Sequence, residues 1–264
     1  MKKRAMIVPA GLCALGVLLL SAAVAQRTDE DQPPGWLRFL PVGESPPVRQ
    51  EVRDGVRYLL PPPPGSVPPR MVSVGSEEGR QASAPVQLKL RTLSARVLAT
   101  PGAVPIREVV DGGSGDSRRW HELRMPNRGA VLAVLWRDPQ ARSWTRARSL
   151  VLADDLEAFP GGTIRFTNVS PFPAGITFGD EKLVLAAGKV AMQGEANTGL
   201  PETRLAIEVA DANGNSRKIY DSAIVQRRNQ RTSVIIFRAD GARPRNPAKV
   251  HIATEQAVVP KPPR

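Results

Sequence analysis

The sequence predicts an all-β protein made of two tandem, Ig-like β-sandwich modules. Three observations carry that expectation. Runs of about five β-branched or aromatic residues recur at intervals of about eight to twelve, separated by Gly, Pro, Asn and Asp. No helical hydrophobic period persists over about twelve residues. A short pattern also occurs twice. Leu37-Arg38-Phe39-x-x-Val42-Gly43, with Pro46, aligns with Ile164-Arg165-Phe166-x-x-Val169-Ser170, with Pro173. Leu135-Trp136-Arg137-x-Pro139 aligns less closely with Ile236-Phe237-Arg238-Ala239-Asp240. Recurrence of this kind turns a list of strands into two copies of one plan, spanning residues 36–150 and 159–254. The alternative is one large sandwich whose halves do not correspond.

Residues 1–25 stand apart from the fold. Lys2, Lys3 and Arg4 precede an apolar run from Ala5 to Leu20, and Ala23-Val24-Ala25 places small residues where a signal peptidase inspects the chain. Cleavage after Ala25 is the expectation, with Pro9 and Gly11 inside the run arguing against the competing reading, an uncleaved anchor. The leader carries Cys13, the only cysteine, so the mature chain has no disulfide, thiolate nucleophile or Cys-ligated metal. Stability must then come from the core, which a chain of this length can supply as one large or two smaller domains.

Taken in order, residues 26–35 are polar and Pro-rich and read as a disordered leader. Trp36–Leu40 opens the first strand, which Val42–Pro47 breaks, and Asp54-Gly55 makes a tight turn into Val56–Leu60. Pro61–Pro64 cannot donate ladder hydrogen bonds and reads as a stiff connector, the alternative being a dock for a proline-binding partner. After a Ser/Glu/Gly loop from Gly75 to Pro85, strands are expected at Val86–Leu90, Ala95–Ala99, Ile106–Val110 and Trp120–Arg124. Ala130–Trp136 is apolar without alternation, as in a strand buried on both faces. The second copy repeats the scheme with Thr163–Asn168, Gly175–Phe178, Lys182–Leu185, Val190–Gln193 and Arg204–Val209. Asn213-Gly214 then forms a hairpin turn into Lys218–Val225. Ser233–Phe237 is the counterpart of the buried run, Lys249–Thr254 closes the fold, and residues 255–264 form a loose Pro-rich tail.

The chemistry is bounded by what is missing. His121 and His251 fall in different modules, and a type-one copper site would need a cysteine as well, so no metal or cofactor is expected. Gly112-Gly-Ser-Gly-Asp116 fails as a nucleophile elbow, and Asp111–Asp116 lacks the glycine spacing of a phosphate loop. The pairs Asp154/Asp155 and Asp180/Glu181 read as solvated turn acids, and no twelve-residue calcium loop is present. No catalytic residue is assigned and the protein is expected not to be an enzyme. A hydrolase using His121 as base is the remaining alternative.

The formal charge is +12, and loss of Lys2, Lys3 and Arg4 leaves +9 (12 − 3). Such a balance attracts polyanions without identifying them. Few aromatics and no reading motif argue against nucleic acid, and any membrane contact is expected to be peripheral at most. Alternation puts Arg38 and Arg165 outward on equivalent strands, as a candidate anion- or partner-binding face, with denser basic spots at Arg142/Arg146/Arg148 and Arg227/Arg228/Arg231. Arg137 and Arg238 are expected to bond Asp138 and Asp240 and fix turns.

Arg165-Phe166-x-Asn168-x-Ser170-Pro171 and Phe237–Gly241 resemble segments of uncharacterised bacterial envelope proteins with small β-sandwich domains. The resemblance covers residues 150–254 and implies a fold and a location, without site residues. The expected function is an exported, non-catalytic protein of the periplasm or cell exterior that binds an envelope protein or an anionic envelope polymer. The alternatives are an anionic glycan or lipid head-group module and a hydrolase. Nothing in the sequence sets the oligomeric state.

Overall fold

A computed structural model describes residues 35–75, 83–110, 117–127, 129–141, 143–194, 202–210, 214–241 and 244–257. The leader, the Asp111–Asp116 loop, Arg142, Asn213, Arg243 and residues 258–264 lie outside them.

The described chain is all-β. The first module holds β1 (Gly35–Val42), β2 (Arg49–Arg53), β3 (Val56–Leu60), β4 (Met71–Val74), β5 (Val86–Gln87), β6 (Val97–Ala99), β7 (Gly102–Val109), β8 (Ser117–Met125), β9 (Ala130–Arg137) and β10 (Ala147–Ala153). The second holds β11 (Ile164–Asn168), β12 (Ala174–Phe178), β13 (Glu181–Leu185), β14 (Val190–Gln193), β15 (Glu202–Ala210), β16 (Ser216–Val225), β17 (Gln230–Arg238) and β18 (Ala248–Gln256).

The two modules share one topology. Sheet β10-β9-β1-β6 corresponds strand for strand to β18-β17-β11-β14, and β5-β4-β7-β8 to β13-β12-β15-β16. In each module the opening strand runs parallel to the penultimate one, β1 with β9 and β11 with β17. Each also carries a bulge in the same hairpin, at Ile106/Arg107 and at Ile207/Glu208. The short sequence match at Arg38 and Arg165 is therefore a structural repeat. One element breaks the symmetry: β2 and β3 form a two-stranded sheet of their own, with no counterpart among the described residues of the second module. Asp54 (φ 51°) and Gly55 (φ 77°) are both left-handed at its tip, as a type I′ turn requires.

The core is layered in three. Leu37, Phe39, Ile106, Leu123, Ala133 and Leu135 fill the first sandwich. Ile164, Phe166, Ile176, Ile207, Val234 and Ile236 fill the second. Leu40, Val42, Leu132, Val134, Leu152, Val169, Ile235 and Phe237 form a third cluster, where the two parallel-paired sheets meet face to face. Period-two alternation explains how one strand serves two layers. Leu37 and Phe39 point into their own module, while Arg38, Leu40 and Val42 point into the seam.

At the corner after β11, Asn168 is fully buried and fully used. Its amide nitrogen donates to Phe172 O (2.8 Å) and Leu185 O (3.0 Å), and its side-chain oxygen accepts from the Ser170 amide (3.0 Å) and hydroxyl (2.7 Å). Burying an amide is tolerable only when its polar atoms are paired. Asn168→Ala is expected to cost about 1–3 kcal/mol, read from urea unfolding midpoints at unchanged m-value.

Candidate functional site

The arginines that alternation placed outward are not on the surface. Arg38 and Arg165 do point away from their own cores, but that face is covered by the other module, leaving them 5% and 3% exposed. Arg231, on β17, is 2% exposed and joins them. Their common partner is Asp154, just beyond β10, itself buried rather than solvated. Arg38 grips it with two bonds, Nε to Oδ2 at 2.6 Å and Nη2 to Oδ1 at 3.0 Å. Arg231 Nη2 lies 3.3 Å and Arg165 Nη2 3.6 Å from Asp154 Oδ1.

Glu255 closes the network from β18, hydrogen-bonded to Arg38 and 3.2 Å from Arg231 Nε. The expected tail thus begins later than Thr254, because Glu255 is held in the sheet by two arginines. Backbone carbonyls absorb further donors: Ala153 O from Arg165 (2.7 Å), and Asp154 O and Phe159 O from Arg231 (2.9 and 3.1 Å). The Phe159 ring lies under the guanidinium carbons of Arg165 at 4.0 Å and Arg231 at 4.9 Å. Such stacking gives a desolvated cation a compensating π face.

Three cations against two carboxylates leave the network at +1. Burial pulls Arg165 down to about 10, with Arg231 and Arg38 adding to the fall against the pull of Asp154, so it stays charged at neutral pH. Burial acts on Arg38 in the same sense, but its hydrogen bonds to Glu255 and Asp154 outweigh it and hold the group above its ordinary value. Desolvation would raise Glu255, yet its bonds to Arg38 and the nearby Arg231 bring it below the usual carboxylate range.

At the other end of the seam, the C-terminal ends of β1, β9 and β17 and the turn after β11 border a cleft of about 430 Å³. Its walls include Trp136 and Pro139 from the first module and Pro171, Phe237 and Arg238 from the second. Ion pairs tie the modules at this end: Arg137 with Asp240, and Lys249 with Glu44 at 2.9 Å. The Asp240 amide also donates to Glu44 (2.9 Å). The pairing expected within local turns is thus inter-module for Arg137 and Asp240, while Asp138 meets Arg148 at 3.3 Å. Desolvation and then Glu44 raise Asp240 against the opposing effect of Arg137.

The remaining expected residues do not converge. Arg146, Arg148, Arg227 and Arg228 are exposed, as a basic surface would have them, but they line neither the network nor the cleft. His121 Nε2 lies 2.9 Å from Ser149 Oγ, and burial lowers its pKa. Among the described residues no carboxylate bonds its other nitrogen. His251 sits on β18 with its pKa lowered by burial and then by Arg91. Asp155 caps the next turn, its Oδ1 accepting from the Ala158 amide (2.8 Å). Among the described residues no group of three His, Cys, Asp or Glu could hold a metal, and no helix is long and apolar enough to cross a membrane.

No protein-family model matches the chain, and no curated protein matches it significantly. Among solved structures it is similar to a DUF3823 family protein from Bacteroides ovatus, at 10% identity and a TM-score of 0.18, covering 73% of this chain and 99% of that one. It is also similar to the paired C2 domains, A and B, of extended-synaptotagmin 2, at 12% identity and a TM-score of 0.21, covering 96% and 98%. Both likenesses are loose.

Two outcomes follow. Asp154→Ala strips the shared anion from three buried guanidiniums and is expected to cost about 3–5 kcal/mol in urea unfolding, far more than loss of an exposed pair such as Arg53–Glu51. Glu255 and Glu44 both titrate below their unfolded values. Their stabilisation is therefore complete above the ordinary carboxylate pKa and drains away as pH falls through and below it. Asp240 works in the opposite sense. The thermal midpoint should fall steeply below about pH 4, and less steeply in Glu255→Gln.

Proposed function

We propose that this protein is exported to the bacterial cell envelope, periplasmic or beyond it, and there binds another envelope component in the cleft between its modules without transforming it. One observation carries the reading: the cleft takes its walls from both modules, so it exists only because the two sandwiches are held together. Its volume suits a short peptide or one to two sugar rings. Trp136, half-buried on its wall, offers a flat apolar face, and Arg238, exposed on the rim, offers a cation. Export is supported by the positive start, apolar run and Ala-x-Ala of residues 1–25. Binding without chemistry is supported by where the ionisable groups lie. Asp154 and Glu255 are spent on arginines, and the His121–Ser149 contact is outside the cleft.

Arg238 favours a second reading, in which the ligand is an anionic glycan or head group. The two separate by salt, because attraction to an exposed cation weakens as the screening length shrinks. In-cell crosslinking from position 139, followed by identification of the captured component, tests the main reading. Trp136→Ala is expected to weaken capture, and the binding measured afterwards with the purified component, by at least about tenfold. Equal capture by the variant would remove the cleft from the account, and turnover of the component that disappears in His121→Ala would replace binding with hydrolysis.

A further inference from the structure

The β2–β3 hairpin pairs with no other sheet and has no counterpart among the described residues of the second module. Among the described residues, it carries four of the eleven large apolar side chains that stand exposed, Val52, Val56, Tyr58 and Leu59, and Val48 just before it is a fifth. Its register sorts them onto both faces. Glu51 opposes Tyr58 and Arg53 opposes Val56 on one side, while Gln50 opposes Leu59 and Val52 opposes Arg57 on the other. Directly opposed residues share a face. Val52 (63% exposed) and Leu59 (74%) are wet on one face, and Val56 (53%) and Tyr58 (49%) on the other.

A protein groove that received this hairpin along one face would leave the other in water. A lipid interface surrounds an inserted tip on all sides. Arg49, Arg53 and Arg57 are interleaved with the apolar residues, against Glu51 and Asp54, for a net charge of +1 (3 − 2) on a chain of +12. Long basic side chains keep their heads among anionic phosphates while their stems and neighbours sink. The Tyr58 ring, apolar with a polar tip, suits the same depth. Pro61–Pro64 then stiffens the return path, and Gly65 O accepts from the Trp144 amide at 2.7 Å, so the hairpin springs from a fixed base. We propose that the β2–β3 hairpin is a membrane-dipping element that inserts, from its Asp54-Gly55 turn up to Leu59, into the head-group region of an anionic phospholipid surface, separate from the cleft and independent of what the cleft binds.

The test uses the exported chain from Gln26, which lacks the apolar leader and any cysteine of its own, with one environment-sensitive fluorophore on Leu59→Cys or, as a control, on Val184→Cys, which is equally exposed in the second module. Phosphatidylglycerol vesicles should shift the emission at 59 to the blue and leave 184 unchanged, whereas phosphatidylcholine vesicles should shift neither. Adding Arg53→Gln and Arg57→Gln should weaken the vesicle concentration dependence at 59 by about 30-fold at low salt, from roughly fivefold per basic residue near an anionic surface. Thermal melts of each variant should match the parent to within a few degrees, since Arg53, Arg57, Leu59 and Val184 are exposed and the Arg53–Glu51 pair lies at the surface. No shift at 59, an equal shift at 184, or an equal shift with phosphatidylcholine would overturn the proposal. So would a protein-concentration-dependent shift without vesicles, which would make a second copy of the chain the occupant.

Discussion

The arrangement depends on one buried carboxylate. Asp154 sits where the two sandwiches meet and is within reach of Arg38 from β1, Arg165 from β11 and Arg231 from β17. Its charge is what allows three guanidiniums to occupy a layer that is otherwise Leu, Val, Ile and Phe. The apolar cluster supplies attraction between the sheets, which by itself would tolerate sliding. Fixed charges do not tolerate it: displacing one sheet along the other by a residue would leave a buried cation facing a methyl group. The network therefore sets the register of the seam, a role buried ion pairs can fill even where they add little net stability.

The network is asymmetric in a way that follows from its position. Arg165 is lowered chiefly by its burial, with Phe159 covering one face of its plane. Arg38, gripped by two carboxylates, moves the other way. Arg96, half-buried nearby, is lowered by burial and then by Arg38, as expected around a cluster with one cation in excess. Glu255, its side chain 20% exposed, keeps some contact with water. At the far end, Arg137–Asp240 and Lys249–Glu44 tie the modules around the cleft. Register set at one end thus becomes the shape of a cavity at the other.

Much of this was legible in the residues. Asp54-Gly55 announced its turn, the unalternating runs at Ala130–Trp136 and Ser233–Phe237 announced strands buried on both faces, and the paired Leu-Arg-Phe and Ile-Arg-Phe patterns announced the repeat. Parity also placed Arg38 and Arg165 correctly, on the side away from their own cores. What parity cannot say is whether that side meets water, because the answer lies in the other module, which for Arg38 brings Glu255 from 217 residues along the chain. A signal was present: β1 around Arg38 is apolar on both parities, with Leu40 and Val42 beside it, which is poor design for a wet face. Glu255 escaped notice and Asp154 reads from sequence as a solvated turn acid, because each lies at a strand end, where local pattern carries least information, and their burial comes from tertiary pairing. The cleft was invisible for the same reason, being made of turns from two modules.

The claim that the seam makes one unit of two sandwiches can be tested by native-state hydrogen exchange. Amides of Leu37–Leu40 in β1 and of Ile164–Thr167 in β11 belong to different modules but to the same charge network. The account predicts that both sets exchange through one opening, with a common free energy and a common dependence on low denaturant. Separate free energies, with one module opening while the other stays protected, would contradict it.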